Sequence, residues 1–128
     1  SRGNDMENWK VLLVDDEEDF VSTLAERLAL RGVKARTAFN GEQALKAVAT
    51  DPPQVVVLDV MMPGMSGLEV LKRIKEDFPA LPVILLTGIG SAKEGVDGIR
   101  LGAFDYLMKP LQLEELTNKI SEALKTTS

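Results

Sequence analysis

The sequence predicts an α/β fold: a five-stranded parallel sheet with helices on both faces. Three observations lead there. Val11–Val14, Val55–Leu58 and Val83–Leu86 are short runs that are apolar throughout. Segments with helical spacing alternate with these runs and with two weaker strand candidates. The connections are short, without repeats, long linkers or low-complexity stretches. Alternation of this kind makes the strands parallel, because each helix must cross back over a face of the sheet.

The elements come in order. Val11–Val14 is rich in branched residues and lacks polar alternation, the habit of a strand buried on both faces. It runs into Asp15-Asp16-Glu17-Glu18. Phe20, Leu24 and Leu28 then recur every fourth residue, predicting a helix that stops near Arg31–Gly32. Val33–Ala38 mixes polar and apolar positions, as edge strands do. Asn40 with Gln43 can cap a helix that carries Leu45 and Val48 inward. Val55–Leu58 is the second buried strand and closes on Asp59. Ser66 with Glu69 fits a capping box, opening a helix over 66–77 that buries Leu68, Leu71 and Ile74. Val83–Leu86 is the third buried strand and ends at Thr87. Ser91 with Glu94 repeats the capping pattern for a helix over 91–101. There Gly95 and Gly98 each cost about 1 kcal/mol relative to alanine, so this helix is expected to be the most mobile. Ala103–Met108 reads as the other edge strand and runs into Lys109-Pro110. Leu113, Leu116, Ile120 and Leu124 lie on one stripe of a last helix. Five strands in this alternation suggest the order 2-1-3-4-5, the flavodoxin-like (βα)5 arrangement.

Composition narrows the function. The 128 residues suffice for one domain, expected over 9–126, with residues 1–8 read as a tail or cloning remnant. Twenty acidic against fifteen basic residues leave a net charge of −5, which argues against nucleic acid as a partner. No apolar run approaches the roughly 20 residues that span a bilayer, and no secretory signal is visible, so no membrane association and a cytoplasmic location are expected. The chain holds neither cysteine nor histidine. That excludes thiol redox chemistry, Ser–His and Cys–His catalysis and histidine metal sites.

In an open parallel sheet, ligands bind at the carboxyl ends of the strands near the point where strand order reverses. The residues expected there are Asp15, Asp16, Asp59, Thr87 and Lys109. Each has an ordinary reading. Acidic residues opening a helix favour its positive end, and that describes Glu17 and Glu18. A lone Asp closing a strand caps a turn, a lone Thr suits a strand, and a Lys before Pro sits on the surface. Converging on one crevice, they describe more. Clustered carboxylates need a hard divalent cation such as Mg²⁺. An Asp carboxylate can serve as the nucleophile in forming an aspartyl phosphate. Mg²⁺ and Lys109 would stabilise the transferring group, with Thr87 donating a hydrogen bond. The lack of a GxxxxGK loop argues against a nucleotide donor.

Four stretches carry a resemblance: VDDE after the first strand, DVMMPGMSG around Asp59, LLTG ending at Thr87–Gly88, and GAFDYLMKP near the end. In order and spacing they resemble the receiver domains of two-component response regulators, from about Lys10 to Leu124. The resemblance implies a phosphorylation-dependent switch and not an enzyme in its own right. Asp59 would be the phosphoacceptor. Asp16 would bind Mg²⁺ directly, Asp15 largely through water, and the backbone carbonyl of Met61 would complete the protein ligands. Thr87 and Lys109 would bind phosphoryl oxygens, and Lys109–Pro110 would be cis. Pro63 and Gly67 match the loop after the acceptor, and Tyr106 matches an aromatic that reorients on activation. The implied donor is a histidine kinase or histidine phosphotransfer protein. The implied target is an effector, an output domain or a second receiver, reached through the surface of helix 91–101, the fifth strand and the last helix.

Two other classes fit less well. A haloacid-dehalogenase-type phosphotransferase places its nucleophile after the first strand in a DxD arrangement and usually adds a cap domain, whereas this sequence has Asp15-Asp16-Glu17 and no segment that fits a cap. A flavodoxin-like redox carrier needs a hydroxyl- and glycine-rich phosphate loop where this chain is acidic.

Overall fold

The computed structural model describes residues 6–127. Its elements are β1 (Lys10–Val14), α1 (Glu18–Ala29), β2 (Lys34–Ala38), α2 (Gly41–Thr50), β3 (Val55–Asp59), α3 (Gly67–Asp77), β4 (Val83–Thr87), α4 (Ala92–Arg100), β5 (Asp105–Met108) and α5 (Leu113–Thr127). All neighbouring strands are parallel, in the expected order β2-β1-β3-β4-β5.

The apolar runs lack alternation because both faces of the sheet are covered. Val11, Leu13, Val55, Val57, Ile84 and Leu86 pack with Val21, Leu24 and Leu28 of α1 and with Leu116 and Ile120 of α5. Leu12, Val14, Val56, Leu58, Val83 and Leu85 pack with Ala44 and Val48 of α2 and with Val70, Leu71 and Ile74 of α3. Each fully buried side chain of this size contributes about 1.5–3 kcal/mol. The edge strand β2 buries only Ala38 completely. Met6, placed in the expected tail, packs against the α1–α5 side of the core, and the Asn8 N–H donates to the Gly32 carbonyl at 2.9 Å. Residues 1–5 of that expected tail lie outside the described residues. Among the described residues no helix is long and apolar enough to cross a membrane.

The helix starts separate into three cases. At α2, Asn40 Oδ1 accepts the Gln43 N–H at 2.8 Å, while Gln43 Oε1 accepts the N–H of Phe39, at the same distance. At α3, Ser66 Oγ accepts the Glu69 N–H at 3.3 Å, but Glu69 turns forward to Arg73 instead of back to the cap. Leu71 and Ile74 of the expected α3 stripe are buried, Val70 joins them, and Leu68 is only partly covered. At α4 the expected capping box does not form. Ser91 adopts φ −118° and ψ 22°, away from the extended backbone of a cap. Its hydroxyl accepts the Gly88 N–H and donates to the Gly88 carbonyl, both at 3.0 Å, so it is committed to the preceding loop.

The glycines of α4 are contact positions as well as weak helix formers. Gly95 and Gly98 are the residues that this helix buries. A Cβ at Gly98 would run into the Leu85 side chain. Their small size lets the helix backbone lie directly on the sheet.

Candidate functional site

The site is built at the carboxyl rim, from the residues that close the strands or lie just beyond them. Asp15 continues β1, where its N–H donates to the Ala38 carbonyl of β2 at 3.1 Å. That anchoring turns its carboxylate into the fold, where the residue is 1% exposed. Asp15 Oδ1 accepts the Glu17 N–H at 2.9 Å. Asp59 ends β3 and is 5% exposed, with Oδ1 accepting the Met61 N–H at 3.2 Å. Asp16 is exposed, yet one carboxylate oxygen from each of Asp15, Asp16 and Asp59 lies within 4.8 Å of the others.

Lys109 enters this cluster from beyond β5. Its N–H donates to the Thr87 carbonyl at 2.7 Å, extending the β4–β5 pairing, and the Lys109–Pro110 bond is cis as expected. The Nζ lies 2.9 Å from Asp15 Oδ2, 3.0 Å from Glu17 Oε1 and 3.6 Å from Asp59 Oδ2. The Phe20 ring of α1 lies beneath it, 4.8 Å from Nζ to the centroid, a cation–π contact. Glu17, read from sequence as a helix-dipole residue, therefore also pairs with the site lysine. Sequence reasoning missed it, and missed Phe20, because the contact spans 92 residues and neither residue carries a local sign of it.

Electrostatics reflect the crowding. Burial pushes the Asp59 carboxyl up, the charge of Asp15 beside it pushes the same way, and Lys109 and the Met61 N–H only partly offset them; it is raised to about 6. Burial alone would lower the Lys109 ammonium. Hydrogen bonds to Asp15 and Glu17 more than offset that, so its value is raised and it stays charged. Three carboxylates, of Asp15, Glu17 and Asp59, thus share one ammonium, and Asp16 adds a fourth acidic group beside Asp15 and Asp59. Asp15, Asp16 and Asp59 supply a hard-oxygen set that could hold a divalent cation.

The remaining expected residues border this cluster. Thr87 is fully buried at the end of β4, and its hydroxyl reaches toward β5, 3.4 Å from the Leu107 carbonyl and 3.0 Å from the Met108 sulfur. Tyr106 in β5 is half-buried and packs at the margin of the α2–α3 core. Met61 and Pro63 are exposed in the loop after Asp59. Gly67 donates its N–H to the Val60 carbonyl at 2.9 Å, and a Cβ there would strike the Asp59 carbonyl oxygen. Only glycine lets the first turn of α3 seat against the end of β3.

Comparison with known proteins agrees with this geometry. Residues 11–121 match the family described as the response regulator receiver domain. The uncharacterized transcriptional regulatory protein YkoG of Bacillus subtilis is 42% identical over 94% of this chain and 53% of that protein. The alkaline phosphatase synthesis transcriptional regulatory protein PhoP of Bacillus subtilis is 38% identical over 92% of this chain and 49% of its own length. The chain spans about half the length of the curated relatives it matches. The crystal structure of the receiver domain of NtrX from Brucella abortus aligns with a TM-score of 0.86 at 37% identity, covering 91% of this chain and 98% of that one. None of these three is a haloacid-dehalogenase-type enzyme. With the rim geometry and these matches together, the chain belongs to the response regulator receiver domain family, whose members are phosphorylation-dependent regulatory domains and not classical enzymes.

Proposed function

We propose that this domain, taken as residues 9–126, accepts a phosphoryl group onto Asp59 with the help of Mg²⁺. The observation that carries the reading is the convergence of Asp15, Asp16 and Asp59 with the Lys109 ammonium at one rim. The donor is a phosphohistidine on a histidine kinase or histidine phosphotransfer protein. An oxygen of the ionised Asp59 carboxylate attacks phosphorus while the bond from phosphorus to the donor's imidazole nitrogen breaks, and the imidazole leaves with the electron pair. Mg²⁺, when bound, would neutralise charge on the transferring group. Asp16 would hold it directly and Asp15 largely through water, with Asp59 and the Met61 backbone carbonyl completing the set. The bonds from Asp15 to Lys109 and to the Glu17 N–H favour the indirect role for Asp15.

Lys109 is charged and close to Asp59, suited to meet a phosphoryl oxygen. Thr87 supplies a hydroxyl that leaves β5 for the phosphoryl group, and Tyr106 moves into the vacated space. The signal then passes through the α4–β5–α5 face to an effector, an output domain or a second receiver. That face exposes Val96, Ile99 and Met108. The acidic domain itself engages neither nucleic acid nor membrane, and the reading goes with a cytoplasmic location. Met61 and Ile89, both apolar and exposed, cannot orient an attacking water, so the phosphorylated form is long-lived. The test is acetyl phosphate with Mg²⁺, read by intact mass. One added phosphoryl group is expected in the wild type and none in Asp59→Asn, and Mg²⁺ should bind more weakly to Asp16→Ala than to Asp15→Ala. Labelling of Asp59→Asn at the same stoichiometry would overturn the assignment.

A further inference from the structure

We infer that Gly95 is the positioning residue that sets the resting orientation of Tyr106, through a notch in α4 shared by the tyrosine ring and the Thr87 methyl group. This rests on the coupling of Thr87 to Tyr106 proposed above and names the contact through which α4 takes part. A Cβ built at Gly95 would lie 2.9 Å from Tyr106 Cγ, 3.0 Å from its Cδ1 and 3.1 Å from Thr87 Cγ2. All three are closer than carbon atoms pack without something giving way. The two neighbours differ in what they can give. Thr87 is fully buried on β4, with its hydroxyl toward β5, and its methyl has nowhere to go. Tyr106 is half-buried on an edge strand, and its ring can swing toward solvent.

The glycine therefore does two things. It leaves room for the ring to rest against α4. It also leaves room for the Thr87 methyl beside that ring, so turning the Thr87 hydroxyl away from β5 disturbs the same notch. A methyl group at position 95 expels the ring and uncouples it from Thr87. The helix itself would otherwise gain from the change, since alanine is the better helix former. The steric and helical effects thus have opposite signs, which makes them separable.

The chain has a single tyrosine, so 3-fluorotyrosine labelling places one ¹⁹F reporter at Tyr106. In the wild type, beryllofluoride with Mg²⁺ should shift that resonance. In Gly95→Ala the resting resonance should already be displaced, and beryllofluoride should lose most of its effect on it. Thermal unfolding of the unlabelled proteins gives the second measurement. Gly95→Ala should lower the melting temperature with Tyr106 present and lower it markedly less in a Tyr106→Ala background, where only the Thr87 methyl still opposes helix propensity. A normal wild-type response together with an unchanged Gly95→Ala resonance would overturn the role of Gly95 alone. Stabilisation in both backgrounds would do the same. A wild-type resonance that ignores beryllofluoride, while acetyl phosphate still adds one phosphoryl group, would overturn the tyrosine coupling and this inference with it.

Discussion

Helices α3 and α4 both leave loops that border the site, one after Asp59 and one after Thr87, and they are held to the sheet by opposite means. The helix α3 buries Val70, Leu71 and Ile74, and its first turn is tied down by the Ser66 hydroxyl. The helix α4 buries only glycines, while Val96 and Ile99 stand 43% and 40% exposed, and Ser91 gives it no cap. One helix is anchored by side chains at about 1.5–3 kcal/mol each, the other by close backbone approach. The space between them has a firmly held wall on the Asp59 side and a loosely held wall on the Tyr106 side. Elements that move are drawn from the parts with few buried apolar contacts, and α4 has that character in this fold.

The largest effect should come from truncating the anchored side. Ile74→Ala removes a side chain 1% exposed and should cost about 2–5 kcal/mol of unfolding free energy. Ile99→Ala, on the outward face of α4, should cost less than about 1 kcal/mol. Urea titrations of the two variants measure the contrast directly. Equal losses would mean that Ile99 is as firmly packed as Ile74, and the comparison would collapse.

A second effect comes from Asp59, beneath the first turn of α3. Its carboxyl is raised to about 6 in the folded protein against an ordinary 3.8, so between those values the folded state binds more protons than the unfolded one. Stability therefore falls as pH rises through this window in metal-free protein. The size is on the order of 2–3 kcal/mol. Other acids titrate too, so the useful quantity is wild type minus Asp59→Asn, measured by urea unfolding with chelator from pH 4 to 8. That difference should turn against the wild type on the way up. Mg²⁺ at pH 7.5 should restore stability to the wild type, and less to Asp16→Ala. A flat difference across the range would mean that Lys109 and the Met61 N–H already balance the ionised carboxylate.

Much of the fold and the site is legible in the sequence, for reasons that also mark where legibility stops. The strands β1, β3 and β4 can be read because burial on both faces writes an unbroken apolar run. Asp15, Asp16, Asp59, Thr87 and Lys109 can be placed because parallel topology sends every strand end to one rim. Local patterns give way where a tertiary partner competes. Ser91 and Glu94 together have the form of a capping box, but Gly88 lies close enough to take the hydroxyl first. Gly95 and Gly98 look like weak helix, because a missing side chain says nothing of how near the sheet lies. Glu17 and Phe20 meet Lys109 only through the topology.

The smallest effect separates the two helix starts. Ser66→Ala removes the acceptor for the Glu69 N–H, and a lost cap of this kind costs about 0.5–2 kcal/mol. The bond is 3.3 Å long and exposed, so the lower end of that range is expected. Amide exchange should quicken at Glu69, inside the first turn of α3. Ser91→Ala removes no bond from α4, because that hydroxyl serves Gly88 on both its N–H and its carbonyl. The amides at the start of α4 should exchange as before, and the faster site should be Gly88 in the loop after Thr87. The reason is local: each serine protects the group it touches, and the two serines touch different things. If Ser91→Ala instead opened the first turn of α4 as Ser66→Ala opens α3, the serine would be capping that helix after all, and the two walls of the site would start alike.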